Sequence, residues 1–474
     1  MNDSACSIAP TFYIHDYETF GLSPSMDRPA QFAGIRTDQD FNIIGEPLVI
    51  YCKPPVDYLP QPEACLVTGI TPQKAMKDGL CEADFMRLIH EQFATPGTCV
   101  MGFNNIAFDD EVTRYALYRN FYDPYAYSWQ NGNSRWDILN VVRACYALRP
   151  EGISWPVDDK GAPRFRLEML SASNGISHAN AHDALSDVIA TIEMAKLVKK
   201  AQPKLFSYLF DLRNKNKVKA LIDVVSIKPL VHVSSRFPAT QGCMSWVAPL
   251  GWHPTNQNAV MLVDLSQDIS PLLELNSDEI CERLFTPKSE LGDLARIPVS
   301  LAHINKCPVL APASTLAAER AQQLGIDKEL CLKNLAMLRA HPEVRQKLAD
   351  VYSQEFTGSK HTDPDTQLYD GFFSQADKST MDLVRATPPD LLGYHPFKFN
   401  DPRLPEMLFR YRARNWPHTL SEVEQKRWGQ HCTDYFSCHL QDYGLHLEEL
   451  VERNKGKERE FSILRNVYEY LVSL

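Results

Sequence analysis

The chain has 474 residues, too many for one hydrophobic core, so about two to four domains are expected. With 44% hydrophobic and 23% charged residues it has the makeup of a soluble globular protein, and it holds no apolar run of about eighteen residues that could span a membrane. The net charge of −10 argues against a protein that coats nucleic acid over its whole surface, yet leaves room for a local basic groove. The chain start carries no secretory signal pattern, and the 12 cysteines are scattered without a Cys-x-x-Cys pair. The expectation is a cytoplasmic protein with reduced thiols and no zinc ribbon.

In chain order, strand signals fall at 11–18, 31–37, 46–53 and 98–104, the first three joined by short polar links as in an antiparallel set. Helix signals fall at 82–94, 109–120, 136–147 and 183–200. In the last, Leu185, Val188, Ile189, Ile192 and Ala195 form an apolar stripe. This order predicts an α/β fold of the ribonuclease-H type. Residues 201–219 then mix Lys204, Arg213, Lys215, Lys217 and Lys219 with Phe206, Tyr208 and Phe210. Between 222 and 310 short β-like runs punctuated by Pro and Asn predict a small barrel or sandwich. Helix returns over 315–355, a polar stretch at 358–365 reads as a linker, and helices are expected near 374–386, 403–414, 420–437 and 443–473.

The chemistry concentrates in acids. In Phe12-Tyr13-Ile14-His15-Asp16-Tyr17-Glu18, the carboxylates of Asp16 and Glu18 sit at i and i+2 of a strand and leave the same face. Two carboxylates on an apolar strand repel and desolvate poorly, and a divalent cation between them relieves both penalties. The alternative is an exposed strand end. Asp109 opens a helix after Asn104-Asn105-Ile106-Ala107-Phe108, where the dipole favours a carboxylate and a simple cap is the other reading. Asp110 and Glu111 read as solvated or capping groups, and Asp183 as a cap. His182 precedes the last helix, and Asp187 falls between its apolar positions 185 and 188, which calls for a balancing charge. If Asp16, Glu18, Asp109 and Asp187 converge, they can hold two divalent ions roughly 3.5–4 Å apart on one phosphate. Mg²⁺ suits such oxygen ligands, and a neutral His182 can accept a proton from water.

The motifs Asp-x-Glu, Asn-x-x-x-Phe-Asp and His-x-x-x-x-Asp, in this order, resemble those of the DEDDh 3′→5′ exonucleases over about the first 200 residues. Along nearly the whole chain, strings such as IHDYETFG, DRPAQFA, TGITPQ, FDDEVTR, ACYALRPEGI, KPLVHVS, HINKCPVLA, LYDGFFS and YRARN are similar to the bacterial exonuclease I family. The resemblance implies an exonuclease domain at 1–201, a barrel of the Src-homology-3 type with a helical extension at 202–356, a linker at 357–365 and an all-α C-terminal domain at 366–474. It implies hydrolysis of single-stranded DNA from the 3′ end to 5′-mononucleotides, processively, in DNA repair, recombination and mismatch repair. Asp16, Glu18, Asp109 and Asp187 take the place of the metal ligands, for two Mg²⁺ ions with Mn²⁺ able to substitute, and His182 that of the general base. Glu18 and Arg166 resemble substrate contacts, and Leu66, Thr68 and Gly69 sit where relatives hold the terminal nucleotide.

A single strand is gripped by cations on its phosphates and flat rings on its bases. Arg114, Tyr125, Trp129 and Arg143 are the expected contacts from a mixture that includes Tyr122, Tyr127 and Arg135, half of which could equally be core aromatics or ion-pair partners. The segment 199–219 is a second grip or else a solvated helix face. The family resemblance further implies a monomer that docks the acidic C-terminal tail of the single-stranded DNA-binding protein, with Arg149, Tyr208 and Arg339 as candidates. An RNA-trimming exonuclease or a proofreading subunit is disfavoured by the additional length. An adaptor with a dead site is disfavoured because all four acids and His182 are present.

Overall fold

A computed structural model of the chain describes residues 10–178, 183–287, 289–292, 294–354 and 362–473. They form two units, one within Met1–Arg135, His178–Ile192 and Lys360–Leu474, the other within Trp136–Ser177 and Glu193–Ser359.

The first unit is organised by strand β1 (Thr11–Thr19), which is buried almost throughout. β2 (Pro29–Thr37) pairs with it antiparallel, and β3 (Leu48–Tyr51) pairs antiparallel with β2. β4 (Thr98–Gly102) runs parallel to β1, and with β5 (Ser134–Asp137) the sheet order is β3-β2-β1-β4-β5. Tyr13, Tyr17 and Phe32 of β1 and β2 pack with Phe85, Ile89 and Phe93 of the helix Glu82–Phe93 and with Val112, Ala116 and Leu117 of the helix Asp109–Arg119. Continuous burial is what a central strand covered by helices requires.

The sequence patterns missed two short helices, Pro62–Thr68 and Pro72–Asp78, each opened by a proline in the first turn. The first stops at Gly69, whose φ of +71° supplies the left-handed cap. The small residue at 69 therefore has a backbone reason of its own. The helix expected from 136 starts at Ile138, because β5 continues to Asp137, whose carboxylate caps Leu139 N at 2.9 Å.

The helices Gln375–Ala386, Arg403–Asn415, Glu422–Arg453 and Glu458–Ser473 belong to the same unit. Residues 438–442, expected to break the last pair, are helical; the break comes after Arg453, where Gly456 takes φ +84°. Two clusters bind this segment to the sheet-bearing part of the unit. Phe20, Ala30, Cys65, Ile70 and Ala75 pack with Leu447, Leu450, Ile463, Leu464 and Val467. Tyr115, Tyr118 and Phe121 pack with Leu368, Met381, Leu404, Met407 and Tyr411. Of the expected linker, 357–361 lies outside the described residues, whereas Asp365 is buried among arginines rather than solvated.

The second unit carries a separate antiparallel sheet, as its short β-like runs predicted. β6 (Leu230–Val233), β7 (Met244–Trp252), β8 (Ala259–Asp264), β9 (Val299–His303) and β10 (Val309–Pro312) lie in the order β10-β6-β7-β8-β9. Two helices that the pattern did not predict, Ser270–Glu274 and Ser277–Phe285, lie between β8 and β9, the second started by an Asn276–Glu279 capping box.

Candidate active site

β1 delivers Asp16 and Glu18 to one side of the sheet, and the β1–β2 register slips between Glu18 and Thr19. Such a bulge ends regular pairing and re-aims the neighbouring side chain. The helix Ala184–Ala201 brings in Asp187 from its first turn. One carboxylate oxygen each from Asp16, Glu18 and Asp187 lies within 4.8 Å of the others. Asp109 stands beside them but turns its Oδ1 to accept Tyr17 N at 3.1 Å, so it braces β1 rather than capping its own helix. Asp183 does act as a cap, accepting Ser186 N at 3.3 Å, and also receives Gln31 Nε2 at 3.4 Å. His182 lies outside the described residues.

Burial, and then the fields of Asp109, Glu18 and Asp187, push the Asp16 carboxyl well above the usual range. Burial followed by Asp187 and Asp109 pushes Glu18 up to about 8. A buried cluster of like charges resists full ionisation by itself. A divalent cation supplies the missing positive charge, and an all-oxygen donor set of this kind fits a hard ion such as Mg²⁺.

Asp110, expected to be solvated, is fully buried: Arg135 Nη1 pairs with its Oδ2 at 2.5 Å and Asn105 Nδ2 donates to its Oδ1 at 3.1 Å. The pairing ties the second motif to β5. Asn104 takes φ +69°, a conformation Asn tolerates. One residue that local pattern reading missed is His178. Its side chain is buried and its Nε2 hydrogen-bonds Asp187.

A cavity of about 650 Å³ opens beside Glu18, lined among others by Tyr17, Val67, Thr68, Phe108 and His446. This size suits a small organic ligand. Thr68, expected at the terminal nucleotide, lines this cavity. Leu66 instead packs against the cluster that holds Phe20 and Leu447, and Val67 lines the cavity. His446 comes from the helix Glu422–Arg453 and pairs with Glu63. Nothing local in the sequence could have linked residues 383 positions apart.

The other expected contacts divide. Trp129 is 63% exposed, while Tyr122 and Tyr127 are both buried in the core of the first unit. Arg114 is buried, pairs with Glu111 at 2.7 Å and lies 5.4 Å over the Tyr125 ring. Arg143 and Arg166 belong to the second unit. Arg143 donates to Asn140 Oδ1 at 3.3 Å, and the Arg166 side chain is 75% exposed with Glu168 at 3.8 Å. In the segment 199–219, Phe206 is a core residue set edge-on to Trp136, so it is no platform for a base. Lys217 pairs with Asp211 at 2.8 Å, and Arg213 stacks 3.4 Å over Phe210.

Within the second unit a cavity of about 400 Å³ is lined by Arg149, Lys204, Leu205, Tyr208 and Pro312. Arg149 and Tyr208 thus share one site. Arg339 is not part of that lining; it donates to the carbonyls of Ser226 and Ile227, both at 3.1 Å.

Known proteins match the chain along nearly its whole length. The exonuclease family model matches residues 13–195, the exonuclease I SH3-like domain 213–354 and the exonuclease I C-terminal domain 362–474. Exodeoxyribonuclease I of Escherichia coli strain K12 is 56% identical over 97% of both chains. The crystal structure of E. coli exonuclease I in complex with a dA16 oligonucleotide superposes with a TM-score of 0.97, at 56% identity over 98% of this chain and 99% of that one. A zinc-bound form of the E. coli exonuclease–single-stranded DNA complex matches with a TM-score of 0.96 over the same shares, also at 56% identity. Three family models in this order, with a relative 56% identical over nearly the full length of both chains, place the sheet, its carboxylate cluster and the two following segments in one lineage: the chain belongs to the exodeoxyribonuclease I family.

Proposed function

We propose that the chain hydrolyses single-stranded DNA from its 3′ end and releases 5′-mononucleotides, with Asp16, Glu18, Asp109 and Asp187 holding two Mg²⁺ ions and His182 as general base. The observation that carries this reading is the convergence of three carboxylate oxygens within 4.8 Å beside a cavity of nucleotide size. When bound, the ions supply Lewis-acid stabilisation of the charge that builds on a phosphodiester under attack. His182 takes a proton from the attacking water, a role its near-neutral intrinsic pKa suits. Thr68 and Glu18 border the terminal nucleotide, Arg166 reaches phosphate, and Tyr125, Trp129 and Arg143 contact the strand upstream. Arg114, already paired with Glu111, acts by bracing Tyr125.

The assignment extends to a cytoplasmic monomer working in DNA repair, divided at 201, 356 and 365 along the chain. The cavity lined by Arg149 and Tyr208 combines cationic and apolar walls, which is the chemistry that captures an acidic tail with an apolar end, such as that of the single-stranded DNA-binding protein. Arg339, whose guanidinium is engaged by the carbonyls of Ser226 and Ile227, is not assigned to that cavity.

The test is degradation of 5′-labelled strands in Mg²⁺, comparing single-stranded DNA, blunt duplex and RNA, with Asp187→Ala as control. Shortening of single-stranded DNA from the 3′ end, lost in Asp187→Ala while binding persists, is expected. Preferred shortening of RNA would move the chain to the RNA-trimming branch, and wild-type activity in Asp187→Ala would refute the ligand assignment.

A further inference from the structure

The cavity beside Glu18 takes one lining residue from the far end of the chain. The helix Pro62–Thr68 forms one wall, and His446 of the helix Glu422–Arg453 reaches the same cavity within the same unit. A side-chain bond joins the two elements: His446 Nε2 pairs with the Glu63 carboxylate. A carboxylate only accepts, so Nε2 carries the hydrogen and Nδ1 of the neutral ring is left as an acceptor. Leu447 and Leu450 of the same helix pack in one cluster with Cys65 of the wall, which anchors the backbone beneath His446. The imidazole is nevertheless 40% exposed and therefore open to a ligand.

The chemistry of the lining singles out the same residue. Glu18, Asp27 and Glu63 are its carboxylates, and among the described lining residues there is no lysine or arginine and one imidazole, His446. Asp27 is engaged within the fold: its Oδ2 accepts Ser23 N at 2.8 Å and its Oδ1 accepts the Tyr58 hydroxyl at 2.7 Å. Such walls repel a phosphate away from the metal-binding acids and accept an uncharged base, for which Leu22, Val67 and Phe108 supply apolar surface. Glu63 and Thr68 are five residues apart on one helix, about 7.5 Å along its axis. That is far enough for His446 to meet a base whose sugar rests at Thr68. We propose that His446, oriented by Glu63, contacts the base of the 3′-terminal nucleotide and seats that nucleotide for cleavage. This rests on the single-stranded DNA reading above and adds to it a positioning contact supplied from residue 446. A flat ring packs on any base, so the contact demands no particular sequence.

The test is single-turnover release of the 3′-terminal nucleotide in Mg²⁺ with enzyme in saturating excess. Two strands of one sequence are compared, one ending in an ordinary nucleotide and the other in a stable abasic one. On the ordinary end His446→Ala should be slower by about 5-fold or more, the low end of what a lost ring–base contact removes. On the abasic end the variant and its parent should cleave alike. Glu63→Ala, which frees the imidazole without removing it, should show a smaller loss, again on the ordinary end alone. Strand affinity, read by fluorescence anisotropy in an Asp187→Ala background, should not change with His446→Ala, because the contacts upstream of the terminal nucleotide remain. A parental rate of His446→Ala on the ordinary end overturns the contact and leaves the nuclease reading standing. An equal loss on both ends makes the His446–Glu63 pair a packing feature of the wall and likewise overturns it. A parent that shortens no single strand overturns the substrate reading and this contact with it.

Discussion

Replacing Arg414 by Met probes what fixes the C-terminal helices to the catalytic strands. The guanidinium of Arg414 donates from Nε to both oxygens of Asp57 at 3.1 Å and from Nη2 to Asp57 Oδ2 at 2.7 Å, and the same Nη2 pairs with Asp365 Oδ2 at 2.7 Å. All three side chains are buried. Burial alone would raise the Asp57 pKa, but Arg414, His431 and Arg28 outweigh it and hold the carboxyl far below the usual carboxylate range. Without Arg414, Asp365 keeps Arg410 at 3.1 Å, whereas Asp57 keeps only His431 at 3.3 Å from this set. Asp57 must then stay charged and underpaired or take a proton. At pH 7, protonating a carboxyl of intrinsic pKa near 3.9 costs about 4 kcal/mol. That agrees with the ~3–5 kcal/mol typical of breaking a buried pair from one side. The penalty belongs to a group that must bind a proton in the folded state, so it shrinks by about 1.4 kcal/mol per pH unit as pH falls toward 4. Urea unfolding followed by tryptophan fluorescence reads the difference, since Trp428 lies 5.9 Å from the Arg414 guanidinium. The double variant Asp57→Asn, Arg414→Met should recover most of the loss, because no charge is stranded. A single variant within about 1 kcal/mol of wild type, the size of a surface pair, would refute the reasoning, as would a gap that widens on acidification.

Three further outcomes are expected. His182→Ala should slow hydrolysis by about 10²–10⁴-fold in single-turnover measurements, and a loss below about tenfold would remove His182 from the proton transfer. His178 bonds Asp187, so His178→Ala should weaken divalent-ion affinity by about 10–100-fold, and His178→Asn should recover part of it. Mn²⁺ titration and the ion-induced rise in melting temperature read this without turnover, and unchanged affinity would make the contact a packing feature only. His232 of β6 is buried, and burial followed by Arg236 lowers its pKa from 6.5 to about 4. Between those values the unfolded chain binds more protons, so stability rises with pH across the window, by about 3 kcal/mol over its full span. His232→Gln should flatten that part of the urea-midpoint profile, and an unaltered slope would show that His232 carries none of it.

What could be read from sequence was what short-range geometry encodes. Asp16 and Glu18 share a face because strand side chains alternate, and Asp187 stood out as a charge inside an apolar stripe. The order of the longer strands and helices through residue 200 followed from the same periodicities, while the short helices Pro62–Thr68, Pro72–Asp78 and Leu167–Ser173 and the strand β5 did not. Long-range pairing was not legible. Asp110 reads as a helix-start acid until Arg135 comes alongside from 25 positions away, and nothing local shows that Arg114 is engaged by Glu111 and Tyr369. Asp365 reads as linker until three arginines surround it. In each case the side chain's partner, not its identity, decides between solvent, substrate and core. The helix Glu422–Arg453 runs on through residues 438–442, where the two helices were expected to part, and the chain turns only afterwards, where Gly456 takes φ +84°.

The acids that point to a nuclease all precede residue 200, yet they do not by themselves build the place where a substrate lies. The wall of the cavity beside Glu18 is the helix Pro62–Thr68, a seven-residue element too short to hold its own conformation in water. Its buried face, Cys65, joins Ile70 and Ala75 against Leu447, Leu450, Ile463 and Leu464, and His446 of the same helix pair reaches the cavity itself. Asp57, just before that wall, is fixed by Arg414. The last hundred residues are therefore part of the catalytic unit's structure and not an appendage to it. Truncation after residue 200 would leave the carboxylate motif in the sequence while removing the packing that positions one side of its substrate pocket. This is the physical reason why a motif match over the first 200 residues identifies the chemistry but describes only part of the enzyme.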